Sequence, residues 1–321
     1  MTDPAPTAET PNADTPAPSP DTRKPRSAGE LGRFVWRELK GLFWVMLAVL
    51  GFHSFIAKPF YIPSESMMPI LLEGDRLVVS KFPYGYSNVS PTIPNPAALS
   101  RMLIMRGPAE PWSVTLPPIE GRLFGRYPTR GDIVIVTPPG RSDDYIKRVI
   151  GLPGDTVAIT GGRLVLNGKQ VSAERRPAAL IPVDPNAPCH LMDGTRVKGG
   201  DGALYCRLPI VRETLPNGVS YDTVDLGYRR SSDEFGPITV PEGHVFLLGD
   251  NRDSSADSRV ALEQGGLGGP VRVEQIGGRA EFITFSLDGT TSLNPASWWA
   301  SLRDGRSWSS LRTSPSQGTS D

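Results

Sequence analysis

Cysteine and histidine are nearly absent, at two and three among 321 residues. That scarcity excludes paired CxxC zinc sites and iron–sulfur frameworks, and no two histidines have HExxH spacing. Net charge is missing as well: 34 lysines and arginines face 34 acids, which leaves no overall field to hold a polyanion. Nucleic acid is therefore not an expected partner. Internal repeats are lacking too. Glycine and proline, by contrast, are plentiful at 34 and 33, while 38% hydrophobic and 8% aromatic residues are too many for a wholly disordered polymer. The composition predicts a turn-rich, mostly β globular part with unstructured additions, in a chain long enough to bury a core.

Residues 1–30 hold seven prolines among Ala, Thr, Ser and Asp, which predicts a disordered tail. The segment 31–60 reads as an anchor helix. Within it Gly41 to Ala57 carries no formal charge, and its Leu, Phe, Trp, Val, Met and Ile residues occupy every helical face, with His53 and Ser54 polar near one end. At 1.5 Å per residue that run is about 25 Å long, the lower limit for a transmembrane helix, with Lys40 and Lys58 able to snorkel from its ends. Arg23, Lys24, Arg26, Arg33, Arg37 and Lys40 precede it and Lys58 alone follows closely, so the N-terminus is expected in the cytoplasm. Everything beyond Lys58 then lies outside, in the periplasm of a Gram-negative cell. No small-x-small site follows closely enough to suggest a cleaved leader.

Short apolar runs bounded by turn residues predict strands at Leu77 to Ser80, Ile133 to Val136, Val245 to Leu248 and Phe282 to Phe285. Asn167-Gly168, inside 164–171, has the signature of a type I′ hairpin. Two stretches read as insertions in a 61–285 domain: a Pro-rich excursion at about 84–128, and a segment at about 173–237 that holds both cysteines. Cys189 and Cys206 can form a bridge worth about 3 kcal/mol in an oxidising compartment, or remain two buried thiols. In the remaining 286–321, Trp298, Trp299 and Trp308 with Arg303, Arg306 and Arg312 suit a membrane surface or a frayed tail.

Three places carry chemistry. Tyr61-Ile62-Pro63-Ser64-Glu65-Ser66-Met67-Met68-Pro69 sets two hydroxyls among rigid and apolar residues, although serine alone more often caps or turns. No histidine among His53, His190 and His244 sits in a triad-like motif. Lys147 offers another base: in a strand over Tyr145 to Ile150, alternation puts it on one face with Tyr145 and Val149. To act near neutrality its pKa must fall by roughly three units, so it needs desolvation. An edge-strand lysine with its head in water is the other reading. The block Gly249 to Arg259 is dense in polar groups but fails the calcium-loop pattern, since Arg252 or Gln264 stands where an oxygen ligand is required. It reads as a polar network, with Asp257 and Arg259 able to pair and fix a loop carrying Ser255.

Pro63 to Pro69, then Arg130-Gly131-Asp132-Ile133-Val134, then Tyr145-Ile146-Lys147-Arg148, then Gly249 to Arg259 together resemble the blocks of bacterial type I signal peptidase, over roughly residues 35–285. The resemblance implies a mostly β, antiparallel-sheet catalytic domain with an inserted β subdomain, preceded by one transmembrane helix. It implies a serine endopeptidase with a Ser-Lys dyad: Ser66 as nucleophile, Lys147 as general base, and Ser64 as oxyanion donor beside the Ser66 N–H. Ser255 falls where the lysine receives a hydrogen bond, Tyr145 packs beside it, and Asp257 with Arg259 is a structural pair. Substrate strands would add between Tyr61, Ile62, Pro63 and Asp144, Tyr145, Ile146. The implied substrates are exported preproteins with small-x-small sites, cut at the membrane without metal or organic cofactor. Glu65, Ile70 and Val260-Ala261-Leu262 depart from the commonest pattern, which bears on substrate preference. A dedicated or self-processing Ser-Lys protease and a non-catalytic membrane-anchored scaffold are the alternatives.

Overall fold

The structure, a computed structural model, describes residues 28–87, 93–94, 113–114, 121–141, 143–292 and 294–313. Residues 1–27 of the tail expected at 1–30, and most of the excursion expected at 84–128, lie outside the described residues, while 28–30 are helical rather than disordered. Contacts divide the chain into two compact units between Leu47 and Ala48. Helix α1, Ala28–Phe55, begins three residues before the expected anchor. Leu42, Phe43, Trp44, Val45 and Met46, consecutive positions that go right round the helix, are each more than half exposed.

The expected span over 41–57 is not realised as drawn. The helix stops at Phe55, and Ala57 already pairs with Ser80 in a sheet, which trims the uncharged helical run to about 22 Å. Its first half carries Arg33, Arg37, Glu38 and Lys40, and Gly41, Gly51 and His53 dilute the rest. Among the described residues no helix is long and apolar enough to cross a membrane.

The second unit is built of strands. In chain order they are β1 Ala57–Tyr61, β2 Asp75–Ser80, β3 Ile93–Pro94, β4 Ser113–Val114, β5 Ile133–Val136, β6 Tyr145–Gly151, β7 Thr156–Thr160, β8 Arg163–Leu166 and β9 Lys169–Gln170. They continue as β10 Ser172–Pro182, β11 Thr195–Lys198, β12 Leu204–Thr214, β13 Ser220–Val224, β14 Phe235–Thr239, β15 His244–Leu248, β16 Val271–Arg272 and β17 Ile276–Ser286. Short helices α2, Arg230–Asp233, and α3, Pro295–Ala300, with five 3-10 turns of three residues each, complete the described set.

Seven strands form the main sheet in the order β1-β2-β17-β5-β6-β15-β16, every neighbouring pair antiparallel. β5 and β6 lie in the middle, where both faces are covered, so Ile133-Val134-Ile135-Val136 is apolar throughout instead of alternating. Ile133, Ile135 and Ile146 pack on one side with Ile62, Met67 and Leu77; Val134, Val136 and Val149 pack on the other with Val245 and Leu247.

β7, β8, β9 and β14 make a second sheet, in which Asn167 and Gly168 both take positive φ, as a type I′ turn requires. The inserted segment folds as a third sheet, β10-β12-β11, with β13 also on β12. Cys189 and Cys206 are disulfide-bonded beneath it, among Met192, Leu208 and Ile210.

The described residues of 286–313 are tied to the domain. Arg303 binds Asp184 through two nitrogens, Arg306 binds Asp75, and Leu311 is buried in the core beside Ile283. The reason is charge: three arginines that read as a basic surface meet carboxylates on the folded domain, Arg312 pairing with Glu281. Trp298, Trp299 and Trp308 stay exposed.

Candidate active site

Ser66 sits on a single 3-10 turn, Glu65–Met67, that follows β1. The turn is held from below by Ile62, Met67 and Leu71, all fully buried, and Ser66 is itself buried, at 6% exposure. Lys147 is the third residue of β6, opposite Val134 on β5, and is 3% exposed. Its Nζ donates to Ser66 Oγ at 2.9 Å and to the Ile146 carbonyl at 2.9 Å. The ring of Tyr145 lies 5.5 Å from the same nitrogen. Burial pushes the Lys147 pKa down to about 8; Asp257 and Asp250 pull it back up, and Arg259 pushes it down. A buried amine with its proton loosely held thus touches a buried hydroxyl.

Ser64 Oγ lies 3.4 Å from Ser66 Oγ. Ser255 Oγ is buried and finds no partner among the described residues, so the Lys147–Ser255 bond that the resemblance implies is not formed. It is nevertheless close to the Ser66 backbone: a Cβ on Gly249 would run into Ser255 Oγ and would come within 2.5 Å of the Ser66 carbonyl oxygen. Gly249 is what allows the 249–259 loop to lie against the turn.

Asp257 is fully buried, chelates Arg259 through both oxygens at 2.9 and 2.8 Å, and accepts the Gly249 N–H at 3.0 Å. Burial alone would raise its pKa, but Arg259 and these backbone donors outweigh it and hold the carboxyl below its usual range. Arg259 further donates to the Ser232 and Arg252 carbonyls, which ties α2 to the loop.

Of the residues expected to meet substrate, Tyr61 is exposed and stacks on Arg76 at 4.1 Å, and Pro63 is exposed. Ile62 is different. Its side chain is buried, and its N–H and C=O already bond Asp75 and Gly74. Ile146 is also buried and spends its carbonyl on Lys147. Tyr145 donates to the Gly265 carbonyl. Asp144 accepts from Thr137 at 2.7 Å and from Lys58 at 3.3 Å, and so joins the start of β6 to β1. β15 pairs with β6 only from Arg148 onward, and β1 is the last strand of its sheet. Two open backbone edges therefore lead toward the Ser66–Lys147 contact.

The sequence reading missed a buried network behind the site. Arg148 grips Asp250 at 2.7 and 2.6 Å, donates to the Gly131 carbonyl and lies 4.3 Å above the Tyr221 ring. Arg252 grips Glu213, which also accepts from Tyr221. A signal existed: Arg148 shares its strand face with Ile146 and Ile150, and Glu213 takes an inward position on β12, so each is a charge at a core phase.

The sequence model of the family described as "Signal peptidase, peptidase S26" matches residues 35–285. A protein named Signal peptidase I from Rickettsia typhi is 34% identical over 281 residues, covering 85% of this chain and 86% of its own. One of the same name from Rickettsia prowazekii is 34% identical over 272 residues, 83% of each chain. A crystal structure of a signal peptidase I from Enterococcus faecalis V583 aligns with 48% of this chain and 97% of its own at 24% identity, but at a TM-score of 0.26 it carries no weight. The extent of the family match, together with relatives at this identity over most of both chains, establishes that the chain belongs to the signal peptidase family, peptidase S26.

Proposed function

We propose that this serine endopeptidase removes N-terminal signal peptides from exported preproteins, with Ser66 as nucleophile and Lys147 as general base. The observation that carries the reading is the 2.9 Å contact between Lys147 Nζ and Ser66 Oγ, made by a lysine whose pKa burial lowers to about 8. Neutral Lys147 takes the Ser66 proton as Oγ bonds to the scissile carbonyl carbon. The oxyanion that forms is met by the Ser66 N–H and, after rotation of its side chain, the Ser64 hydroxyl. Lys147 then hands its proton to the leaving amine, the C–N bond breaks, and an ester to Ser66 remains. Water, giving a proton to Lys147, attacks that ester and restores the serine.

The substrate adds as an extended strand between 61–64 and 144–147, where both backbone edges lie open. Small residues at the first and third positions before the cut are the recognition feature that membership of the signal peptidase family implies. Helix α1 holds the enzyme at the bilayer, supported by the apolar side chains it exposes on every face. An anchored site sees an anchored substrate at raised effective concentration.

Cleavage in trans tests the reading. Purified enzyme in detergent is expected to cut an unrelated preprotein after an Ala-x-Ala site, and Ser66→Ala and Lys147→Ala to be inert while keeping the parent circular dichroism spectrum. Cutting by either variant at the parent rate would remove that residue from the mechanism.

A further inference from the structure

We propose that Asn251 is the positioning residue that aims the oxyanion-binding N–H of Ser66; the inference rests on the reading of Ser66 as nucleophile. Asn251 is 1% exposed and stands directly against the catalytic turn. Its backbone N–H donates to the Ser66 carbonyl at 3.1 Å and its side-chain Nδ2 donates to the Glu65 carbonyl at 3.3 Å. One residue thus holds two consecutive carbonyls by two different groups.

The consequence follows from peptide geometry. The Glu65–Ser66 bond is trans, so its C=O and the Ser66 N–H point in opposite directions from one rigid plane. Pulling the Glu65 oxygen toward Asn251 turns the Ser66 N–H away from it. No described residue accepts that N–H. The Glu65 oxygen also accepts the Met68 N–H at 3.1 Å, which closes the turn but leaves the plane free to rock about it. Nδ2 supplies the second point that stops the rocking.

The other half of the same side chain argues against a purely structural role. Asn251 Oδ1 is buried and has no hydrogen-bond partner among the described residues. Exchanging the two amide atoms would set one oxygen against another, so the orientation is fixed by the Glu65 carbonyl. An unpaired buried acceptor is a cost to the fold, and an apolar residue of the same size would avoid it. What asparagine alone provides here is the Nδ2 donor.

Asn251→Leu and Asn251→Ala both keep the backbone N–H and remove that donor; the smaller alanine covers the case in which leucine prevents folding. Loss of a whole oxyanion donor lowers kcat about 100- to 1000-fold, so loss of its aim is expected to lower kcat about 10- to 100-fold. KM should stay within twofold and the acidic limb of the pH profile should not move. A peptidyl aldehyde, which forms a tetrahedral adduct on Ser66, should lose affinity by the same factor as kcat/KM, while the thermal midpoint holds or rises. A kcat within twofold of the parent in a folded variant overturns the proposal, as does a loss in which KM and the acidic limb shift together with kcat. Ser66→Ala run beside them separates the two readings: if it still cleaves, the assignment of the nucleophile has failed and the role of Asn251 with it, whereas an inert Ser66→Ala beside unimpaired Asn251 variants sinks the positioning role alone.

Discussion

Burial of Lys147 has two effects of opposite value. On the proposed reading of Lys147 as the base it works only when neutral, so kcat/KM is expected to rise tenfold per pH unit up to about 8 and then level off, read from initial rates on a peptide substrate between pH 6 and 9.5. For stability the sign is fixed by which state holds more protons. With its folded pKa lowered from 10.5 to about 8, the unfolded chain binds more protons between those values, so stability gained from this group rises with pH across that window and is at its minimum below 8. Lys147→Met should therefore be inactive yet melt higher than the parent at pH 7, as calorimetry would register. Gly249→Ala predicts the reverse association of size and damage: one methyl group meets Ser255 Oγ and the Ser66 carbonyl, and cleavage should fall at least tenfold with about 1–3 kcal/mol of stability lost in urea. At this scale the sequence was partly legible. Ser66 and Lys147 stand in motifs that can be read in one dimension, but the grip of Asn251 on the turn joins residues 186 positions apart and leaves no local pattern.

Among the elements, β6 carries the proposed base on one face and scaffolding on the other. Lys147 faces the turn, while Arg148, one residue on, is buried in a two-pronged bond to Asp250. Arg148→Met strands the Asp250 carboxylate in the core and is expected to cost about 3–5 kcal/mol in urea unfolding; Arg148→Met with Asp250→Leu should recover most of it, because the charge then leaves with its partner. Strands were the readable part: Ile133–Val136 is bounded as expected, and Asn167-Gly168 turns as its chemistry requires. Ends and phases were less so. β17 runs to eleven residues although only Phe282 to Phe285 looked like a strand, since its Gly277 and Gly278 hide the pattern; at Gly278 a Cβ would collide with the Ser80 carbonyl on the neighbouring strand. Residues 301–312 read as part of a membrane-surface segment or a frayed tail because the carboxylates that receive Arg303, Arg306 and Arg312 lie as far as 231 positions away.

For the molecule as a whole, the exposed apolar helix α1 predicts partition with lipid: the full chain should float with phosphatidylethanolamine–phosphatidylglycerol vesicles, and a chain beginning at Ala48 should float less while still cleaving a soluble peptide. Equal flotation of both would move the membrane contact to the other unit, where Trp298, Trp299 and Trp308 stand exposed. Length and composition allowed the mostly β architecture to be read, but not the tie between Lys58 and Asp144, which fastens the first strand of the main sheet to the start of β6. That tie acts as a ruler. If a substrate strand adds as proposed between 61–64 and 144–147, the ion pair bounds that stretch, and a residue three or four before the cut is the last that the two edges can pair.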